Sequence, residues 1–332
     1  MKSKHVLNKG KEKYKLVNSK NKLKKLKSDF FLRKFFEYVP NKKSLEIMKY
    51  NRNIQKRMNI NIKNYKDYSE KYSSIEIEII PIKNKYGEFI KIAEEEDEKY
   101  YHIYFNNSKK EIKKTTIKRK DKVAKIKIII DYQVKSFEKL FSDCFCIESI
   151  NFKKFYRNNI NNMSEMFEYC SLKELNLSNF STNNVTNMKA MFCCCSSLEK
   201  LNVTNFNTNK VADMSFMFKG CLSLKELNVS NFNTAKVKNM RYMFHNCQTL
   251  KELNLSNFNT NKVTDLSWMF GECLSLNELN ISNFNFHNVT DMSNMFYKCP
   301  YKLKTKIHKQ FKNIKKEALY EFDFNKLKLN YI

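Results

Sequence analysis

A methionine–phenylalanine pair recurs through the second half of the chain at an almost constant interval. A fixed period of this length is typical of stacked repeats, in which each unit buries its apolar face against its neighbours. The repeats therefore predict a solenoid over residues 132–300. The six pairs are 25 residues apart once and 26 apart four times, and they begin at Met166, Met191, Met217, Met243, Met269 and Met295. A cysteine follows each pair at the same distance, at Cys170, Cys195, Cys221, Cys247, Cys273 and Cys299.

The unit over residues 224–247 shows the pattern that every repeat shares. Leu227 and Val229 are two positions apart, so they share one face of a short strand. The polar residues 231–234 that follow suit a turn. The apolar residues after that turn have the spacing of one helical stripe: Val237, Met240, Met243, Phe244 and Cys247. The sequence thus predicts rungs that consist of a strand, a turn and a short helix.

The repeats resemble those of BspA-like leucine-rich-repeat surface proteins in the phrases NVTNMKAMF, LKELNLSNFNT and VTDLSWMFGECLSL. The resemblance covers residues 134–300 and implies a leucine-rich-repeat-like solenoid used for adhesion and protein binding, with no catalytic residues to carry over. The chain departs from the common leucine-rich pattern where phenylalanine takes the place of its asparagine, at Phe180, Phe206, Phe232, Phe258 and Phe284. Asparagines alongside, from Asn179 to Asn283, are expected to replace the missing asparagine ladder.

The flanks of the repeats differ from them in composition. We predict an α/β fold class, with the solenoid preceded by an N-terminal α+β region. Isoleucines that alternate with glutamates over residues 75–79 predict a strand. The predicted domains are a basic, disordered arm at 1–25, a helical hairpin at 26–65, a β-rich region capping the solenoid at 70–131, the solenoid itself at 132–300 and a basic helical cap at 301–332.

The net charge of +28 lies almost entirely outside the repeats. Residues 1–130 carry 36 Lys and Arg against 16 Asp and Glu, whereas residues 131–300 carry 17 against 15. A basic flank is compatible with nucleic acid or an anionic membrane surface as a partner. A composition rich in lysine and asparagine throughout explains the same charge without any such partner.

The sequence favours a non-enzymatic scaffold that binds another protein. No phosphate loop, nucleophile elbow or paired-histidine motif occurs, so we expect no catalytic, cofactor-binding or metal-binding residues. Two alternatives stay open, an F-box-like substrate adaptor of a ubiquitin ligase, with a weak resemblance at residues 26–60, and a basic nucleic-acid or membrane-surface binder. The absence of a signal-peptide pattern or a membrane-spanning stretch favours an intracellular location with all ten cysteines reduced.

One variable position inside the repeats predicts a binding site. The residue before each methionine–phenylalanine pair is aromatic on three consecutive repeats, at Phe216, Tyr242 and Trp268. A helical wheel places these three side chains away from the core, with Arg241 and His245 beside them. Exposed aromatic residues next to arginine are typical of interaction hot spots. We therefore expect a partner-binding surface at these five residues, with cover by another part of the chain or by a second copy, or no role, as alternatives.

Overall fold

The computed structural model describes residues 28–30, 51–59, 63, 66, 67, 70, 72–312 and 314–319. The chain divides into two compact units, residues 1–72 and 73–332. In the first unit, helix α1 spans Arg52–Arg57, and the side chain of Asn51 caps it by accepting a hydrogen bond from the backbone N–H of Ile54 at 3.2 Å. The predicted arm at 1–25 lies outside the described residues, as does most of the hairpin at 26–65 with its F-box-like stretch.

The second unit begins with an antiparallel sheet of four strands in the order β3-β5-β1-β6. Alternating isoleucines bury one face of β1, while Glu76 and Glu78 on its other face form ion pairs with lysines of β6, with one lysine of β5 and with Lys125 just before β5. β1 covers the segment 75–79 that the alternation predicts as a strand, because one buried face fixes a two-residue period. The four strands are β1 at Ile75–Pro81, β3 at Tyr101–Phe105, β5 at Ile126–Ile130 and β6 at Ile147–Lys154. A smaller antiparallel pair joins β2 at Gly87–Glu88 to β4 at Thr116–Ile117. Short 3-10 helices span Glu95–Tyr100 and Arg119–Asp121.

The repeats come after the sheet in the chain, and each repeat contributes at most one short strand. These strands pair in parallel with their counterparts on a neighbouring repeat, for example Leu253 opposite Leu279. The fold therefore mixes α and β structure, with several sheets and, in the described residues, few helices. The repeat strands are β7 at Glu174–Asn176, β8 at Lys200–Asn202, β9 at Glu252–Asn254 and β10 at Glu278–Asn280.

The predicted short helix of each repeat is wrong. The nine residues that end at each repeated cysteine form successive turns, and we call such a stretch a box; residues 213–221 are one example. Two residues of this box, Phe216 and Gly220, have positive φ angles of 61° and 70°. A positive φ at the third residue is typical of a type II turn and is incompatible with an α-helix. The spacing of apolar residues fits either an α-helix or successive turns. Hydrogen bonds between repeats stabilise the turns.

Every backbone N–H of residues 214–221 has a partner. Those of Met214, Phe216, Phe218 and Gly220 donate to carbonyl oxygens of the next repeat at 2.8–3.1 Å, whereas three others close turns within the box. The eighth backbone N–H, that of Ser215, donates to the carboxylate of Asp213 at 2.8 Å. Because buried N–H groups must be paired, this arrangement locks each box to its neighbour. Aspartate and asparagine interchange at the equivalent positions because the Oδ1 atom of either accepts this bond, at Asn162, Asn187, Asn239, Asp265 and Asp291.

Two columns of phenylalanine fill the core between the strands and the boxes. In the first column, neighbouring rings stack with centroids 5.4–5.8 Å apart, and it consists of Phe141, Phe167, Phe192, Phe218, Phe244, Phe270 and Phe296. The second column has centroids 6.2–6.5 Å apart and runs through Phe180, Phe206, Phe232 and Phe258. The core is therefore continuous along the repeats, and each repeat contributes the same side chains to it.

Buried polar side chains also join the repeats. The hydroxyl of Thr234, which is fully buried, donates to the carbonyl oxygen of Asn259 at 2.9 Å and accepts from the N–H of the same residue at 2.8 Å. Thr182, Thr208 and Thr260 make the equivalent bonds. The predicted asparagine ladder is also present, since the side-chain amide of Asn257 donates to the carbonyl oxygen of Phe232 at 2.7 Å.

A C-terminal segment ends the array of repeats. Helix α2 spans Tyr301–Gln310 and helix α3 spans Lys316–Leu319, so the described part of the helical cap expected over 301–332 contains two helices. The N–H groups of Asn294 and Phe296, in the last box, donate to the carbonyl oxygens of Glu317 and Ala318 at 2.9 and 2.8 Å. Residues around α3 thus take the acceptor positions that another repeat would otherwise supply. The cap expected from residue 320 to 332 lies outside the described part.

Candidate interaction surface

Four aromatic side chains lie in line beside the core, on consecutive repeats. The rings of Phe216, Tyr242 and Trp268 stack with centroids 5.1 and 5.7 Å apart and interplanar angles of 7° and 6°. Tyr297 continues the line with its centroid 5.0 Å from that of Trp268. All four residues are half-buried and lie outside the buried core cluster. We call these four residues the aromatic ladder.

Local backbone conformation holds the ladder away from the core. Phe216, Tyr242 and Trp268 have φ angles between 56° and 61°, while the methionine and phenylalanine that follow each of them are buried. Gly271 leaves room for the ladder, because a Cβ atom there would come within 2.9 Å of Cε3 of Trp268 and 3.0 Å of Nδ1 of His245. A side chain at this position would displace both rings.

Cationic side chains accompany the ladder. The guanidinium of Arg241 lies 5.2 Å from the ring centroid of Phe216 and 5.4 Å from that of Tyr242. The Lys219 ammonium lies at 5.4 and 5.3 Å from the same two rings, and that of Lys298 lies 5.0 Å from the ring of Tyr297. These distances are within the range of cation–π attraction. The surface therefore combines aromatic rings with positive charge.

His245 lies between two rings of the ladder. It meets Tyr242 and Trp268 edge to face, with ring centroids 5.1 and 5.5 Å away. Its Nδ1 atom is buried without a hydrogen-bond partner. Burial lowers the pKa of the imidazole below its ordinary value, and the positive charge of Lys219 acts in the same direction, whereas Glu272 opposes the shift. The histidine is therefore held neutral within the surface.

The low pKa of His245 predicts a pH-dependent stability. Because the folded protein binds this proton less readily than the unfolded chain, the free energy of unfolding should fall as the pH drops through about 6.5. Urea unfolding at about pH 8 and about pH 5 should show a smaller fall for His245→Phe than for the wild type. The matched variant His287→Phe alters an exposed histidine and should retain the wild-type fall. An equal fall in His245→Phe and wild type would contradict this assignment.

The structure brings together all five residues that the sequence singled out. Phe216, Tyr242 and Trp268 align as expected, but the helical wheel was the wrong reason, and the side chains are half-buried by stacking on one another. Sequence reasoning missed Tyr297 and Lys219, which lie three positions after the aromatic position of their boxes. The same three-residue offset relates His245 to Tyr242, so the sequence already contained the signal that would have found both residues.

A cleft lies on the strand side of the repeats. This cleft has a volume of about 790 Å³ and is lined in part by Glu226, Glu252, Glu278 and Lys306. Lys306 forms an ion pair with Glu278 at 2.5 Å, and both side chains are more than half exposed. No residue predicted from the sequence to form a site lies there.

Comparison with known proteins identifies the repeats as a family feature. A family model described as "Mycoplasma protein of unknown function, DUF285" matches residues 135–251 and, in an overlapping second match, residues 223–327. Together the matches cover more than half of the chain. The chain belongs to this family. No curated protein and no solved structure matches it significantly.

Two further observations bear on function in this member of the DUF285 family. Among the residues that the structure describes, no helix is long and apolar enough to cross a membrane. In the same part of the chain, no three His, Cys, Asp or Glu side chains are placed to hold a metal ion together.

Proposed function

We propose that this DUF285-family protein is a non-enzymatic interaction scaffold, a leucine-rich-repeat-like solenoid similar to the BspA-like proteins, whose aromatic ladder binds a protein partner. The observation that carries the proposal is the stack of half-buried aromatic rings beside the core, flanked by Lys219, Arg241 and Lys298. Aromatic residues and arginine are enriched where interfaces gain most of their binding energy.

The repeat itself does not need aromatic residues at these positions. Glu165, Ala190 and Asn294 occupy the equivalent position on other repeats. The N–H of Ala190 donates to the next repeat at 2.8 Å, and that of Phe216 does so at 2.9 Å. Since the backbone closes in the same way with either side chain, the ladder is an addition to the repeat, and this supports a role beyond folding.

The arrangement of the rings indicates the chemistry of the partner. Stacking covers both faces of the Tyr242 ring and one face each of the Phe216 and Trp268 rings, so the ring edges form much of what a partner can contact. Those edges carry partial positive charge, and the neighbouring cations add to it. An acidic segment of a protein fits such a surface. Nucleic acid fits less well, because single-stranded bases bind by stacking on open ring faces.

A displayed random-peptide library tests the proposal directly, because it samples many partner sequences at once. We expect the full chain to enrich peptides rich in Asp and Glu, and the double variant Tyr242→Ala/Trp268→Ala to bind them at least about tenfold less tightly. The double variant should remain folded, since each stacked pair contributes only about 0.5–1.5 kcal/mol beyond burial. Arg241→Glu should weaken binding with no change in the thermal unfolding midpoint, because Arg241 is exposed.

The matched control removes exposed aromatic residues that lie elsewhere. Tyr156→Ala and Tyr301→Ala alter side chains that are 59% and 79% exposed and should leave peptide binding unchanged. Enrichment of the same peptides by wild type and double variant would place binding outside the ladder. Failure of the wild type to enrich any acidic peptide would refute the proposed partner chemistry.

A further inference from the structure

Two of the ten cysteines differ from the others in their surroundings. Nine of the ten cysteines are buried, including Cys193, and Cys194 is partly exposed. In each of the eight cysteines outside this pair, the Sγ atom lies within hydrogen-bond distance of a backbone carbonyl oxygen. Cys193 and Cys194 instead have their Sγ atoms 3.5 Å from each other. In the turn that actually forms, adjacent side chains meet on the same side.

The backbone explains why the two thiols meet. Cys194 has a φ angle of 57° and occupies the box position that Tyr169 and Gly220 hold on the neighbouring repeats. Cys193 occupies the position of Lys219, which lies beside the aromatic ladder. Gly220 leaves space for the pair, because a Cβ atom there would come within 3.3 Å of the Cys194 sulfur.

The groups that face the pair favour a thiolate. A hydrogen bond from Cys193 lowers the pKa of Cys194 to about 6, and the Tyr169 hydroxyl and the charge of Lys219 act in the same direction against burial. The pKa of Cys193 is raised, chiefly by the same hydrogen bond. Burial and the neighbouring Glu165 raise the pKa of Glu168, whose carboxyl reaches Cys193, to about 7. The pair therefore shares one proton near neutral pH.

Geometry argues against a disulfide between these residues. Consecutive Cα atoms across a trans peptide are about 3.8 Å apart, whereas disulfide-bonded residues usually have Cα atoms about 4.4–6.8 Å apart. An atom held about 2.3 Å from each sulfur, the usual metal–thiolate distance, would instead make an angle of about 100° between sulfurs 3.5 Å apart. The pair suits a bridging atom better than a direct S–S bond.

The number of ligands narrows the choice of bridging atom. In the described residues, no third His, Cys, Asp or Glu completes a metal site with this pair. Structural zinc is almost always held by four ligands, mostly cysteine and histidine. A bridging atom that carries its own third substituent needs only two protein sulfurs. The arsenic atom of a trivalent organoarsenical is such an atom.

We propose that Cys193 and Cys194 form a dithiol site that chelates trivalent organoarsenic compounds. In the reaction with an arsine oxide, each sulfur forms a bond to arsenic, and the As–O bond breaks. The oxygen leaves as one water, which takes the single proton held by the pair and a second proton from solvent. Neither arsenic nor sulfur changes oxidation state, so no further reactant is needed. The neighbouring Lys219 stabilises the attacking thiolate.

Intact-mass spectrometry of the native full chain with one equivalent of phenylarsine oxide tests the site. We expect a single adduct that survives excess monothiol and is removed by ethanedithiol. The adduct should protect Cys193 and Cys194 from iodoacetamide, as mapped on peptides. Cys194→Asn, which copies the asparagine at Asn246 with its φ of 59°, and Cys193→Ser should each abolish the adduct. Cys247→Ala, which removes a buried thiol, should retain it.

Three outcomes would overturn the proposal. They are no adduct on the wild type, an adduct that persists in both variants of the pair, or protection that maps to other cysteines. The mapping uses the wild type alone, so it decides the question even if a variant fails to fold. Stoichiometric Zn²⁺ retention that depends on both thiols would show a metal site and refute the preference for a centre with its own third substituent.

Discussion

Phe244→Ala should lower the free energy of unfolding by about 3–5 kcal/mol, as measured by urea denaturation. The side chain is fully buried, and its ring lies 5.5 Å from that of Phe218 and 5.8 Å from that of Phe270. The substitution removes apolar surface, leaves a cavity and breaks the phenylalanine column on both sides. Stacked aromatic pairs add to the cost of lost burial, so the upper part of the range is expected.

Phe145→Ala is the matched control, because this phenylalanine is 54% exposed and belongs to neither column. It should change the free energy of unfolding by less than about 0.5 kcal/mol. Similar effects of the two substitutions would mean that the column does not hold the repeats together. A smaller slope of the denaturation curve for Phe244→Ala would show instead that the repeats no longer unfold as one unit.

Thr234→Val should cost about 1–3 kcal/mol, although the two side chains have nearly the same shape. The valine cannot replace the two hydrogen bonds that the hydroxyl makes with the backbone of Asn259 at 2.8 and 2.9 Å. Each of the two lost hydrogen bonds contributes about 0.5–1.5 kcal/mol, and because Asn259 is exposed, water can in part replace the hydroxyl. Urea denaturation under the same conditions measures the effect.

Two further threonine substitutions test the cause. Thr234→Ser keeps the hydroxyl and should recover most of the loss. Thr204→Val alters an exposed threonine in the same repeat array, where water can replace the hydroxyl, and it should be nearly neutral. Equal losses for valine and serine at position 234 would attribute the effect to packing rather than to hydrogen bonding.

The repeat register and the buried side chains could be predicted from the sequence, because burial imposes a spacing that the sequence displays directly. The conformation between those side chains could not. Val237, Met240, Met243, Phe244 and Cys247 have a spacing that suits a helix and also suits successive turns. The turns prevail because alternate N–H groups bond to the next repeat, and a single repeat read alone contains no sign of its neighbour.

The candidate surface could likewise be predicted from the sequence only in part. The alignment of Phe216, Tyr242 and Trp268 follows from the period alone, so it survived the wrong secondary structure. The meeting of Cys193 with Cys194 depends on the positive φ angle of Cys194. Gly220 and Asn246 hint at such a conformation in their boxes, but Glu272 and Lys298 at the same position conceal it.

Because α3 closes the last box, the structure at the ends of the array does not depend on the number of repeats between them. Glu317 and Ala318 provide the acceptors that the last box needs, and no internal repeat depends on them. Duplication or loss of one 26-residue unit would therefore leave both end structures unchanged, and each new junction would reproduce an existing one. A gene that encodes such a chain can gain or lose one repeat at a time. Selection can therefore change the length of the surface without changing the fold.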